Sequence, residues 1–206
     1  MISLLIRLVT LVLTVAIIAL VGVFGYGWYV GGQALDRGQA AGWLTPAPEE
    51  APLSVFETTV AKGIFGATWD ETGFPCRTAA RFTLHQLGQT DRRGPSISQV
   101  MARDMASKDG ATRSLNSQVE QLSLACLLES RHSDADLLRL WMRKANFGGV
   151  TGPTDASQVL FSKPPAELNA AESAKLAALL SWPNSRGDAG EWDARAKRMA
   201  DAAAAN

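Results

Sequence analysis

Near the middle of the chain, Arg93 to Met105 read RGPSISQVMARDM, which places Ser96, Ser98 and Gln99 within one turn of a helix start. Two hydroxyls and an amide at that spacing can do two different things. Ser96 can accept a hydrogen bond from the backbone three residues on while Gln99 reaches back, a capping box. Alternatively, hydroxyl, amide and backbone donors together can hold a phosphate. Other kinds of chemistry have less support. His85 and His132 lie in no metal-ligand spacing, so no metal site is expected. The serines form no G-x-S-x-G nucleophile turn. Cys76 and Cys126 are the two cysteines, and the sequence is compatible with one disulfide or with two buried thiols.

The elements that would position these residues are mostly helical, because Ala, Leu, Gln, Arg and Glu dominate beyond Ser54 and β-branched runs are few. Ser96 with Gln99, Ser133 with Asp136, and Asn169 with Glu172 each have N-cap spacing. The apolar sets that follow them fit single helical faces: Ile97, Val100 and Met101; Leu137, Leu138, Trp141 and Met142; Leu176, Leu179 and Leu180. Leu115 to Leu128 is apolar on most sides and reads as the buried central helix of a small all-α domain. Asn146 to Pro153, NFGGVTGP, cannot continue the helix before it, and Lys163 to Pro165 is a second break. Irregular loops of this kind between helices can shape a groove.

At 206 residues there is room for one ordinary domain and an appendage. The appendage is N-terminal. No charge occurs from Leu8 to Leu35, and the apolar stretch is long enough to cross a bilayer, longer than the core of a cleaved signal peptide. Phe24, Tyr26, Trp28 and Tyr29 cluster where amphipathic rings favour the headgroup layer. The expected organisation is a transmembrane anchor over 1–30, a Gly-, Ala- and Pro-rich linker over 31–53 and a helical domain over 54–206. Arg7 on the near side points to a cytoplasmic N-terminus with the domain outside. Lysine plus arginine equal aspartate plus glutamate at 20 each, with no basic run interleaved with aromatics, so a nucleic-acid partner is excluded.

Several segments resemble the peptidoglycan glycosyltransferases of family 51, the transglycosylase type found in bifunctional penicillin-binding proteins. LLRLWMRKANFG, Leu137 to Gly148, resembles the family's I-L-E-L-Y-L-N-x-V-Y-F-G. LFSKPPAELNAAESAKLAAL follows at the family's own separation and resembles its Y-F-G-K and L-T-L-A-E-A-A-L-L-A. GPSISQVMARDM is similar to G-G-S-T-I-T-Q-Q-L-A-K-N, with Pro95 for a serine and Val100 for the second glutamine. The resemblance implies a mainly α, lysozyme-like domain at the outer face of a bacterial cytoplasmic membrane. It also implies lipid II or glycan strand as ligand, with wall synthases and the lipid bilayer as partners. The residues it implies for substrate binding are Ser96, Ser98, Gln99, Phe147, Gly148 and Lys163.

Glycosyl transfer to a hydroxyl needs a base and something positive for the departing pyrophosphate. The family's first glutamate and the acid beside it fall on Ile64 and Phe65 of IFGATWDETGF. Its second glutamate falls on Gln121 and the lysine before it on Gln118, counting back from Ala125 and Glu129. Glu120 is one residue away, about 100 degrees around the helix, and is expected to face elsewhere. The catalytic set is therefore expected to be degenerate and the protein to act by binding. The alternative is an active polymerase of lipid II whose acid has moved to Asp70 or Glu71. No cofactor is expected, and a divalent cation would enter only with an active enzyme.

Overall fold

The computed structural model describes residues 2–44, 51–66, 69, 76–78, 95–106, 114–181 and 188–205, with the side chains at 2–9, 16, 17, 19, 20, 23 and 181 outside that description. The described residues are mainly helical. They contain no strand, only an isolated antiparallel bridge between Asn146 and Thr151.

Helix α1 runs without a break over Ile2–Ala40. Among the described residues, no helix is long and apolar enough to cross a membrane. The segment from Gly31 onward, expected to be linker, is instead helical to Ala40, and Ala34 and Leu35 are buried. Its glycines explain this, since they let the α1 backbone lie against a second helix. A Cβ on Gly31 would stand 2.8 Å from Ser123 Cβ and 3.0 Å from the Ser123 carbonyl carbon. The composition that suggested a loop is a close-packing surface.

After α1, Trp43 and Leu44 pack on the core. Helix α2, Val55–Val60, starts at a Ser54–Glu57 capping box and passes into a π-helical turn, Ala61–Phe65. Helix α3 is Ile97–Ala106 and α4 is Leu115–Arg131. Helix α5, Asp134–Met142, is opened by the Ser133–Asp136 box. Helix α6 is Pro153–Phe161, α7 is Ala170–Ser181 and α8 is Ala189–Ala204. Each expected N-terminal signal is in place: the Ser96 N–H donates to Gln99 Oε1 at 3.0 Å, and the Asn169 N–H to Glu172 Oε2 at 3.0 Å.

Helices α1 and α3 both pack on α4, while α2 and α8 both pack on α7. One core joins the two groups through α5, whose Leu137, Leu138, Leu140 and Met142 are buried together with α7's Leu176 and Leu179. The expectation for Leu115 to Leu128 holds only at its C-terminal end. Leu124, Leu127 and Leu128 are buried, but Leu115 is 80% exposed. The N-terminal half of α4 is left partly open because α1 covers one side of it and α3 another, and between α3 and α4 lies a groove.

Candidate functional site

The groove between α3 and α4 has a volume of about 520 Å³. Pro95 and Val100 from the α3 side, and Leu115, Val119 and Leu122 from α4, form its apolar walls. Thr78, Gln99, Arg103, Gln118 and Gln121 supply its polar groups. No carboxylate lines it among the described residues. Gln118 and Gln121 share one face of α4 because residues three apart lie one above the other, and neither amide has a hydrogen-bond partner among the described residues. Glu120 turns away, as its rotation requires, and pairs with Arg37 of α1. Arg103 is 61% exposed, and its Nε and Nη2 both donate to Asp104 Oδ1 at 3.2 Å. The other oxygen of Asp104 accepts from the Trp141 indole at 3.0 Å.

Behind the groove wall lies a carboxylate that the sequence reading used only for counting. Glu129 is buried. Its Oε1 accepts from Ser98 Oγ at 2.6 Å and from Thr78 Oγ1 at 2.7 Å, and its Oε2 accepts from the Thr78 N–H at 3.2 Å. Because the Ser98 proton is committed to Glu129, Ser96 donates to Ser98 across 2.8 Å, and Ser96 Oγ in turn accepts the Gln99 N–H at 3.4 Å. A hydroxyl has a single proton. The protons of Ser96, Ser98 and Thr78 therefore all run inward, toward Glu129.

The residues around Thr78 fix this network. Cys76 is bonded to Cys126 of α4, with Cα atoms 4.1 Å apart, so the disulfide is formed. Arg77 is buried and holds Asp134, at the start of α5, through its two terminal guanidinium nitrogens, Nη1 lying 3.2 Å from Oδ2. Three consecutive side chains thus tie this segment to α4 and α5. A lone acid after the apolar Leu124–Leu128 stretch was the signal in the sequence that could have drawn attention to Glu129.

The sequence-predicted residues are dispersed. Gln99, Gln118 and Gln121 meet at the groove. Ser96 and Ser98 lie behind its wall, 1% and 0% exposed, and do not line the groove. Phe147 is fully buried against Phe56, with ring centroids 6.2 Å apart, and Gly148 takes a positive φ of 66° in the turn beside it. Lys163 Nζ lies 2.7 Å from Glu172 Oε1. That bond, joined by the Asn169 backbone bond, holds the Glu172 carboxyl below its ordinary range. Ile64 packs on the core in the π-helical turn, and Phe65 is buried edge-on against Trp141 at 5.8 Å. Neither lines the groove. Asp70 and Glu71 lie outside the described residues.

A mainly helical domain with a groove between packed helices defines the class, and comparison with known proteins defines the family. A family model described as Transglycosylase matches residues 67–204, and the chain belongs to that family. The match begins after Ile64 and Phe65. A relative, the biosynthetic peptidoglycan transglycosylase of Cronobacter sakazakii (strain ATCC BAA-894), is 34% identical over 113 residues, covering 54% of this chain and 46% of that protein. The chain thus spans about half the length of the curated relative it matches.

Proposed function

We propose that this protein is a membrane-anchored member of the transglycosylase family that binds a cell-wall component and does not polymerise it. The observation that carries this reading is the groove between α3 and α4, whose described lining holds three glutamines and no carboxylate. Gln121 stands where the family resemblance implies a glutamate, and Ile64, in the place of the other, packs against the core. Neither side chain can take a proton from a sugar hydroxyl, and loss of one general base typically costs about 10² to 10⁴ in rate.

The family and its envelope relative support a place in the bacterial cell envelope. We place the anchor at residues 1–30, with α1 leading straight into the domain. Leu11, Val12, Leu13, Val15, Ile18 and Val21 are all exposed on α1, and Phe24, Trp28 and Tyr29 follow at the expected headgroup level. The Cys76–Cys126 disulfide supports a domain outside the cytoplasm, because such bonds persist in oxidising compartments. Candidate ligands are lipid II and the glycan strand, and wall synthases are candidate protein partners.

The test is polymerisation of labelled lipid II by the purified full chain, with a family member that retains both glutamates run alongside. The expected result is no glycan polymer from this protein. Polymer formation abolished by Asp70→Ala or Glu71→Ala would make the protein an active enzyme with a relocated acid.

A further inference from the structure

We infer that the last turn of α3 is a movable wall of the groove, and that α1 is the brace that sets where this wall stands relative to α4. The inference concerns how the groove is held open, whatever occupies it, and so goes beyond the proposed function. The start of α3 is pinned. Ser98 Oγ donates to Glu129 Oε1 of α4 at 2.6 Å, and Ile97, Ser98, Met101 and Ala102 are all buried. Beyond Ala102 that hold weakens, because Arg103 is exposed and Asp104, Met105 and Ala106 are only partly buried. The last turn rests instead on Asp104, which accepts from the Trp141 indole at 3.0 Å, and on Met105, whose methyl occupies the notch left by Gly38 of α1.

Consecutive residues of α1 thus touch both walls. Arg37 pairs with Glu120 of α4, and the buried Gly38 receives Met105 of α3. The two sides differ in stiffness. Against α4 the seat is backbone, since a Cβ on Gly31 would stand 3.0 Å from the Ser123 carbonyl carbon and 3.2 Å from the Leu124 nitrogen. Against α3 it is the far end of a methionine, an unbranched side chain that yields by rotation. Helices α1 and α4 therefore move as one body, and the last turn of α3 is the part that shifts against them. The size of the side chain at residue 38 decides where it stops.

The experiment uses the full chain in detergent micelles and reads the dipolar coupling between spin labels on pairs of introduced cysteines. The native Cys76 and Cys126 are bonded to each other and take no label. One pair, Arg103→Cys with Asn116→Cys, spans the braced end of α3, and a second, Pro95→Cys with Asn116→Cys, reports the pinned end; all three positions are exposed. Packed helices stand about 8–10 Å apart according to the side chains between them, so Gly38→Leu should shift the Arg103 pair by about 2 Å and leave the Pro95 pair unchanged. Gly38→Ala should move neither pair, because the Met105 methyl turns aside. Met105→Ala removes the stop without adding bulk, and should broaden the distances of the Arg103 pair alone. That variant decides the question even if Gly38→Leu does not fold. An Arg103 pair unchanged by Met105→Ala overturns the inference. So does a Pro95 pair that changes as much as the Arg103 pair, since the whole of α3 would then be loose rather than hinged at Ser98.

Discussion

The disulfide between Cys76 and Cys126 closes a loop of 50 residues, and its removal gives a stability change that can be worked from that length. In the chain-entropy account, such a cross-link restricts the unfolded ensemble by about 4 kcal/mol at 25 °C. A domain of ordinary stability has about 5–15 kcal/mol in total, so the double variant Cys76→Ala with Cys126→Ala is expected to fold but to lose a large share of its margin. With a urea slope of about 2 kcal/mol per molar, the midpoint should fall by about 2 M. The slope itself should rise, because the unlinked unfolded chain is more expanded. Urea titration followed by tryptophan fluorescence measures both. The folded state should change little, since the Arg77–Asp134 pair and the Thr78–Glu129 bonds still hold the neighbouring residues. Hydrogen exchange at the Thr78 amide should therefore stay slow in native buffer. A loss below about 1 kcal/mol, or rapid exchange at Thr78 in the folded variant, would refute this assignment of the effect to the unfolded chain.

Gly31→Val should separate α1 from α4, because its Cβ meets backbone at Ser123 and Leu124 that cannot yield; faster hydrogen exchange in α4 and a weaker Arg37–Glu120 contact are the expected readouts. Phe147→Ala should cost about 3–5 kcal/mol in denaturant titration, as the cavity opens in the core beside Phe56. Acidification should destabilise in two stages. Burial, with help from Arg131 and against Asp136, holds His132 below its ordinary 6.5, so its contribution is present above that value and is lost as pH falls through it. Burial raises the Glu57 carboxyl, but its bonds from Arg139 and Ser54 outweigh burial and lower it below 4.5, so its contribution persists above 4.5 and is lost at lower pH. His132→Asn should flatten the first stage alone in a stability-versus-pH series. A reporter fused after Asn206 should be active outside the cytoplasm, and activity inside would reverse the proposed orientation.

The sequence by itself determined whatever is settled within a turn or along one helix. The Ser96–Gln99, Ser133–Asp136 and Asn169–Glu172 caps follow from a spacing of three residues, because both partners of each bond lie in the same short segment. The buried face of α5 follows from its period, and Glu120's turn away from Gln121 follows from helix geometry alone. The proposed placing of Ile64 and Gln121 at the positions of the family's acids is likewise read from letters and spacing alone.

Tertiary structure decided what each polar group does once its neighbours arrive. Ser96 and Ser98 look the same in sequence whether their protons reach a ligand or the protein interior; Glu129, 31 residues beyond Ser98, fixes the answer. Gly31 reads as linker until Ser123 lies against it, and Lys163 as a free cation until Glu172 pairs with it. The two cysteines remain ambiguous until packing brings their Cα atoms within 4.1 Å. In each case the deciding partner is distant along the chain, and local preference carries no information about which distant groups the core will bring together.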